Sequence, residues 1–285
     1  YEISACLVGS ENVYKRQEHE WLHGISSSFE LRGRHISSNR YVPMILPDGR
    51  SLHGINDASI RIGLRLSKDE TIVRMPFEVR HMGSKYPIFS FDFTGAKRGV
   101  LPASYDYLRL EGRMQYRLNL PPIGYSQLML EGGKIFGKVP YLLLKLHEGN
   151  GTYFYDRYAF SCMNFYEFSS DAWISFFYEH HFNGFLLGRV PLLKKLNWRE
   201  VFVFKGVYGT LSARNDGSLP NTKAVMLFPV GMSSVEHPYL ETGFGIENIF
   251  RLLRVDCIWR LTHHRAVPGL SIPTFTVNFS LNLKF

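Results

Sequence analysis

The residues with the plainest chemical potential are two histidine pairs, His180-His181 with Glu179 beside it, and His263-His264. Imidazoles next to a carboxylate can serve as metal ligands or as general acid and base. Both pairs sit in stretches that read as strands, AWISFFYEHH and LLRVDCIWRLTHH. Neighbours on a strand point to opposite faces, so neither pair can chelate one ion by itself. They are expected at an interface or inside a lumen, with no metal and no cofactor. A membrane phospholipase would need a Ser and a His brought together with an orienting Asn or acid. Many serines are present and no motif singles one out, so no catalytic residue is assigned. The glycines of GFGIEN and GGKIFG are not phosphate cradles, because no helix start follows to supply oriented N–H groups. They read as strand glycines at bends or close approaches. Cys6, Cys162 and Cys257 are odd in number and far apart, which suits neither a disulfide framework nor a zinc site, and they read as small apolar fillers.

The elements that must carry these residues are strands. The chain closes on FTVNFSLNLKF, where Phe275, Val277, Phe279, Leu281, Leu283 and Phe285 alternate with polar residues. In YLRLEGRMQYRLNL the apolar Leu108, Leu110, Met114, Tyr116, Leu118 and Leu120 oppose Arg109, Glu111, Arg113, Gln115, Arg117 and Asn119. A face with three arginines and a glutamate does not suit the core of a soluble sandwich. An apolar-out, polar-in transmembrane β-barrel accounts for both faces. DASIRIGLRLS repeats the pattern with Arg61 and Arg65 on its polar side. Arg61, Arg65, Arg109, Glu111, Arg113 and Arg117 are therefore the candidate lumen face. An anion-favouring interior is one use for them, and an internal Arg–Glu network around Glu111 is the favoured one.

Composition agrees with a barrel. The 285 residues are 45% hydrophobic and 15% aromatic, with 16 Tyr and 22 Phe. No apolar run reaches the length of a membrane helix, which leaves strands as the means of crossing. The net charge of +8 is spread singly, without a basic tract or helix, so no nucleic-acid partner is expected. A basic protein also suits a surface carrying lipid phosphates.

Taken in order, residues 1–8 read as a strand, the polar stretch through Lys15, Arg16 and Glu18 as a connection, and 21–34 as a long strand. Residues 35–56 read as a loop, 68–86 stay open between a connection and a hairpin, and a loop runs from Lys134 to about Ser170. The count comes to about eleven or twelve strands in one domain over 1–285. Counting back from a periplasmic Phe285, connections at 35–56, 134–170, 211–237 and 265–272 fall outside and those at 120–122, 185–197 and 250–251 inside. Trp173, Trp198 and Trp259 fall near segment ends, where aromatic girdles sit.

FELRGRHISSNRYVP, GINDASIRIGLRLS, GGKIFGKVPY, FYEHHFNGF, VPLLKKLNWREVF, GMSSVEHPYLETGFGIENIFRLLRVDCIWRLTHH and NFSLNLKF together resemble the uncharacterised Bacteroidota outer-membrane family whose barrel follows a carboxypeptidase-regulatory-like domain. That family is in turn distantly similar to the BamA/TamA assembly barrels, with GFGIENIFRLLRVDCIWRL similar to their penultimate hairpin. The resemblance implies that the alternating final strand is read by the barrel assembly machinery during insertion. It also implies an outer-membrane location in a Gram-negative, Bacteroidota-like envelope. Further strands, completing a barrel of about sixteen, and a periplasmic or regulatory-like domain are expected before Tyr1. One departure is the arginine-containing loop motif of the assembly barrels, which is not visible between Lys134 and Ser170.

The function so implied is envelope biogenesis or passage of protein or lipid. The alternative is a porin-like channel or structural barrel, and an outer-membrane enzyme comes third. The chain is not expected to be an enzyme.

Overall fold

The computed structural model describes residues 10–281 except 23, 41, 76, 77, 82, 101, 219–221 and 266–270. Eleven strands form one antiparallel sheet whose neighbours are strictly sequential. They are β1 (Ser10–Leu22), β2 (Ile25–Ser37), β3 (Gly54–Leu66), β4 (Ile88–Ala96), β5 (Tyr107–Asn119), β6 (Tyr125–Gly137), β7 (Ala172–His181), β8 (Arg199–Thr210), β9 (Tyr239–Ile249), β10 (Leu253–Arg260) and β11 (Phe275–Leu281). The fold is that of an antiparallel β-barrel wall of outer-membrane type, as the alternation predicted.

Register assigns the two faces. Facing positions run Gln115–Met129–Phe177–Lys205–Glu241–Arg260 on one side, and Leu118–Ser126–His180–Phe202–Phe244–Cys257 on the other. The second side carries Phe29, Leu31, Ile62, Leu64, Phe89, Phe91, Phe93, Leu108, Ile174, Tyr208, Phe244, Trp259, Phe275, Phe279 and Leu281, all exposed. The first side is buried from β7 to β10 by a loop and is the inward face. Arg254 of β10 reaches Glu179 of β7 at 3.2 Å. Three strand spacings of about 4.8 Å each would hold them about 14 Å apart on a flat sheet, so the wall curls to bring them together.

One stretch departs from the sequence expectation, one open reading is resolved, and one expected strand is not described. Lys15, Arg16 and Glu18 lie within β1, which pairs with β2 along its length. Residues 68–86 contain a small hairpin, Ile72–Met75 with Glu78–His81. The strand expected at 1–8 lies outside the described residues. Gly24 makes the β1–β2 turn with φ +93°, and a Cβ there would meet the Ser67 carbonyl oxygen at 1.7 Å.

One end of the wall bears the long connections 38–53, 138–171 and 211–238, and the other bears 23–24, 120–124, 182–198 and 250–252. The long connections are packed, not splayed. Val42, Met44, Val139, Tyr141, Leu142, Leu143, Leu144, Met226 and Met232 form one core with Ile36, Ile55, Ile135 and Trp173 of the strands. The Leu227 N–H donates to the Ile45 carbonyl at 2.8 Å, and the Tyr141 hydroxyl donates to the Pro43 carbonyl at 2.9 Å, stitching the three loops together.

Candidate functional site

The middle of the 138–171 connection leaves this cap and runs along the inward face of β7–β11. Asn150 N–H donates to the Phe160 carbonyl, and Phe160 N–H to the Glu148 carbonyl, each at 2.8 Å, so the segment folds on itself before it meets the wall. Apolar contacts seat it: Phe160, Met163 and Phe168 pack against Met129, Phe177, Val207 and Tyr239 of the strands.

Charges then fix it in place. Glu179, 1% exposed, accepts from Arg157 at 2.8 Å and from Arg254 at 3.2 Å, and also from the Tyr155 hydroxyl. Arg254 holds Asp256 at 2.7 Å and lies over the Tyr155 ring at 4.4 Å. Lys205 donates to the carbonyls of Asp156 at 2.7 Å and Ala159 at 2.6 Å. Glu241 accepts the backbone N–H groups of Ser161 at 2.9 Å and Cys162 at 2.7 Å. Arg260 pairs with Glu167 at 2.5 Å and donates to the Cys162 carbonyl at 3.1 Å. Glu179, Lys205, Glu241 and Arg260 thus each meet a partner carried by the loop, while Asp256 is neutralised within the wall by Arg254, and a partner is what a buried ion needs. Burial pushes the Tyr155 hydroxyl well above its usual range and the Cys162 thiol up to about 12, so both stay protonated and the thiol is inert. Nearer the cap, burial holds His147 down to about 3, and the neutral ring sits 3.0 Å from Ser170 Oγ.

The segment also touches the last strand. Phe279 N–H donates to the Tyr153 carbonyl and Tyr155 N–H to the Phe279 carbonyl, both at 2.7 Å. Asn278 Nδ2 reaches the Thr152 carbonyl at 3.1 Å. Backbone groups on one edge of β11 are therefore satisfied by the loop.

The candidate lumen residues lie on the inward face, with Glu111 held by Arg109. Arg61 pairs with Asp92 at 3.0 Å, Arg65 with Glu70 at 2.6 Å, Arg109 with Glu111 at 3.0 Å and Arg113 with Glu131 at 2.6 Å. Arg117 stacks on Tyr125 at 4.1 Å. These partners lie on the same or a neighbouring strand or in an adjoining turn, and Glu131 also takes Lys145 of the next connection at 2.8 Å. Phe275, Val277, Phe279 and Leu281 share the outward face of β11; Leu283 and Phe285 lie outside the described residues.

His180 and His181 do point to opposite faces. His181 stacks on Tyr125 at 4.5 Å and faces Glu247 at 3.2 Å inside. His180 faces outward with Ser126 Oγ 2.8 Å from Nδ1 and the Ile123 carbonyl 3.0 Å from Nε2. That Ser–His pair is 4% and 5% exposed and packed against Phe182, and the contact satisfies two buried polar groups. Among the described residues no cluster of three or more His, Cys, Asp or Glu side chains is arranged to hold a metal ion.

Trp173 is the clearest misplacement. It lies inward beneath the cap, with Arg109 at 5.4 Å and Lys145 at 5.8 Å from its ring. Gly133 makes room, since a Cβ there would meet the indole at 2.6 Å. Trp259 does face outward. Arg157, a loop arginine with no motif around it, is brought to Glu179 only by the fold.

The crystal structure of BamA from Haemophilus ducreyi lacking POTRA domains 1-3 is similar to this chain, with a TM-score of 0.55 at 10% sequence identity. The match covers 96% of this chain and 54% of that one, so the chain spans about half the length of that structure, and the likeness is one of fold. No curated protein matches. The model of a family of unknown function, the DUF5686 C-terminal domain, matches residues 21–213, more than half of the sequence. The chain belongs to the DUF5686 family, through its C-terminal domain.

Proposed function

We propose that this chain is the wall of an outer-membrane barrel, in a Gram-negative and Bacteroidota-like envelope, that works in envelope biogenesis or in passage of protein or lipid. The carrying observation is the lumen. Where a porin keeps a water-filled path, segment 145–168 fills the inward side of β7–β10 and is tied to it by Glu179, Lys205, Glu241 and Arg260. Small-solute conduction is poorly served by that arrangement. A curved wall with a strongly apolar outside suits clients that move along lipid, and the fold likeness to BamA is in keeping with it.

The protein in planar bilayers should conduct little, and excision of 148–160 with a short Gly-Ser bridge should raise conductance sharply. Large, steady single-channel steps from the unaltered protein would favour the porin-like reading. Depletion from its native cell should lower the amounts of other outer-membrane proteins or lipids; depletion that alters only solute uptake would overturn the biogenesis role. Sidedness follows from the parity of the connections. A tag after Asp48, in an exposed turn where a Cβ on Gly49 would meet nothing within 4 Å, should be reachable on intact cells, and one after Lys195 should not.

A further inference from the structure

The end of β6–β10 that bears the 120–124, 182–198 and 250–252 connections combines exposed apolar side chains with cations. The 182–198 connection contains two short helical turns, Leu187–Arg189 and Pro191–Lys194. Leu186, Val190 and Leu196 are exposed there, and so are Arg189, Lys194 and Lys195. Gly188, Arg189, Pro191, Lys194 and Lys195 line an open depression of about 690 Å³.

Its orientation is set by Glu200. Register puts Glu200 on the outward face beside Phe202, and its carboxylate accepts the Leu187 N–H, which draws the elbow onto the outside of the wall. Arg189 is steadied by stacking on Phe185 at 4.1 Å. The neighbouring turn joins the same surface: Asn248 Nδ2 donates to the Asn197 carbonyl at 2.8 Å, and Phe250, 85% exposed, stands beside exposed Arg251 and Leu252.

We propose that this elbow binds the headgroup of an anionic phospholipid, with Arg189, Lys194 and Lys195 on the phosphate and Leu186, Val190 and Leu196 against the acyl chains. It rests on the membrane reading above and adds a lipid class to it. Charge complementarity selects the occupant. Three cations around a depression, continuous with a wall of outward phenylalanines, match a phosphate attached to hydrocarbon. A free phosphate leaves the leucines wet, and an acidic protein would leave them partly unmatched.

The test uses the full chain in vesicles of equal parts phosphatidylglycerol and phosphatidylcholine, with integration checked by protease protection. Spin-labelled lipids report the motionally restricted fraction. The unaltered chain should hold the phosphatidylglycerol label in preference to the phosphatidylcholine label, and R189Q/K194Q/K195Q should reduce that preference at least about five-fold, as expected for loss of cations at a charged surface. Leu186→Ser with Leu196→Ser should shorten the restricted lifetime while keeping the preference. Equal retention of both lipids by an integrated chain overturns the site alone. Displacement of the label by millimolar inorganic phosphate also overturns it, since that marks an anion site with no lipid component. A chain that never integrates overturns the membrane reading, and the site with it.

Discussion

Two halves of the inward face solve the same electrostatic problem differently. From β2 to β5 the charges pair within the wall: Arg34 with Asp57 at 2.8 Å, Arg61 with Asp92 at 3.0 Å, Arg109 with Glu111 at 3.0 Å. Their arginines keep roughly a quarter of their side-chain surface open to solvent. From β7 to β10 the wall charges are almost wholly buried, and Glu179, Lys205, Glu241 and Arg260 each take a partner from the 145–168 segment. An exposed pair contributes about 0–1 kcal/mol, because water competes for both ions. A buried pair broken by removal of one partner costs about 3–5 kcal/mol, because the other charge is stranded. The first half is therefore a wall that neutralises itself, and the second is a socket made for a plug.

The largest effect should come from unbalancing the socket. Glu179→Ala strands Arg157, leaves Arg254 with Asp256 alone and removes the acceptor of the Tyr155 hydroxyl, so the detergent-solubilised protein should lose about 3–5 kcal/mol. Limited proteolysis should then cut within 148–160. Glu111→Ala, on the self-neutralised side, should cost under about 1 kcal/mol and leave the loop protected. Equal losses would erase the distinction between the two halves.

A second contrast sets inside against outside. Phe244→Arg or Leu281→Arg puts a charge on the outward face, and the expected cost is about 2–4 kcal/mol near the middle of a bilayer. Thr94→Arg, inward between Arg61 and Arg109, adds a third cation to a wetter surface and should act mainly through repulsion that salt relieves. Melting in detergent and yield of folded protein in vesicles would measure both. Tolerance of arginine on the two faces alike would contradict the assigned register.

These halves also differ in how far the sequence reveals them. β5 and β11 alternate without a break, so their faces are readable from residue types alone. β1 is not readable, since residues 15–21 are exposed on both faces and show no period of two. In AWISFFYEHH both faces carry aromatics, because the inward side of β7 packs against protein rather than water, and Trp173 is therefore easily assigned to the wrong face. The socket is least visible. Glu179 meets Arg157 across 22 residues, Lys205 meets Asp156 across 49, and Arg260 meets Glu167 across 93. No local pattern links such pairs, and in sequence Arg157 resembles any loop arginine.

Acid should loosen the cap end of the plug more than it loosens the β2–β5 wall. The His147 pKa is lowered on folding to about 3 from an ordinary 6.5, chiefly because burial opposes the charged ring. A lowered pKa means the folded state binds fewer protons than the unfolded one. The stability His147 contributes is thus fully present above 6.5 and falls as pH drops from 6.5 toward 3, by about 1.4 kcal/mol per unit at most. Hydrogen exchange at 141–147 should rise over that window, and His147→Gln should flatten the rise. A rise unaltered by the substitution would place its origin in other groups.

The smallest effect is expected at Arg61, and its salt dependence tests the comparison most sharply. Arg61 and Asp92 are 3.0 Å apart with 29% and 25% of their side chains exposed, so water already solvates both. Arg61→Ala should cost no more than about 1 kcal/mol. Raising ionic strength to about 1 M shortens the screening length to about 3 Å, comparable to the pair distance, so the difference from the unaltered protein should nearly vanish. Glu179 is sealed from mobile ions by the plug, with 1% of its side chain exposed, and its loss should cost the same at either salt. Melting curves of both variants at low and high salt decide the matter. A salt-insensitive Arg61 loss would mean that the β2–β5 face is as dry as the socket, and a salt-relieved Glu179 loss would mean that the plug does not exclude solvent.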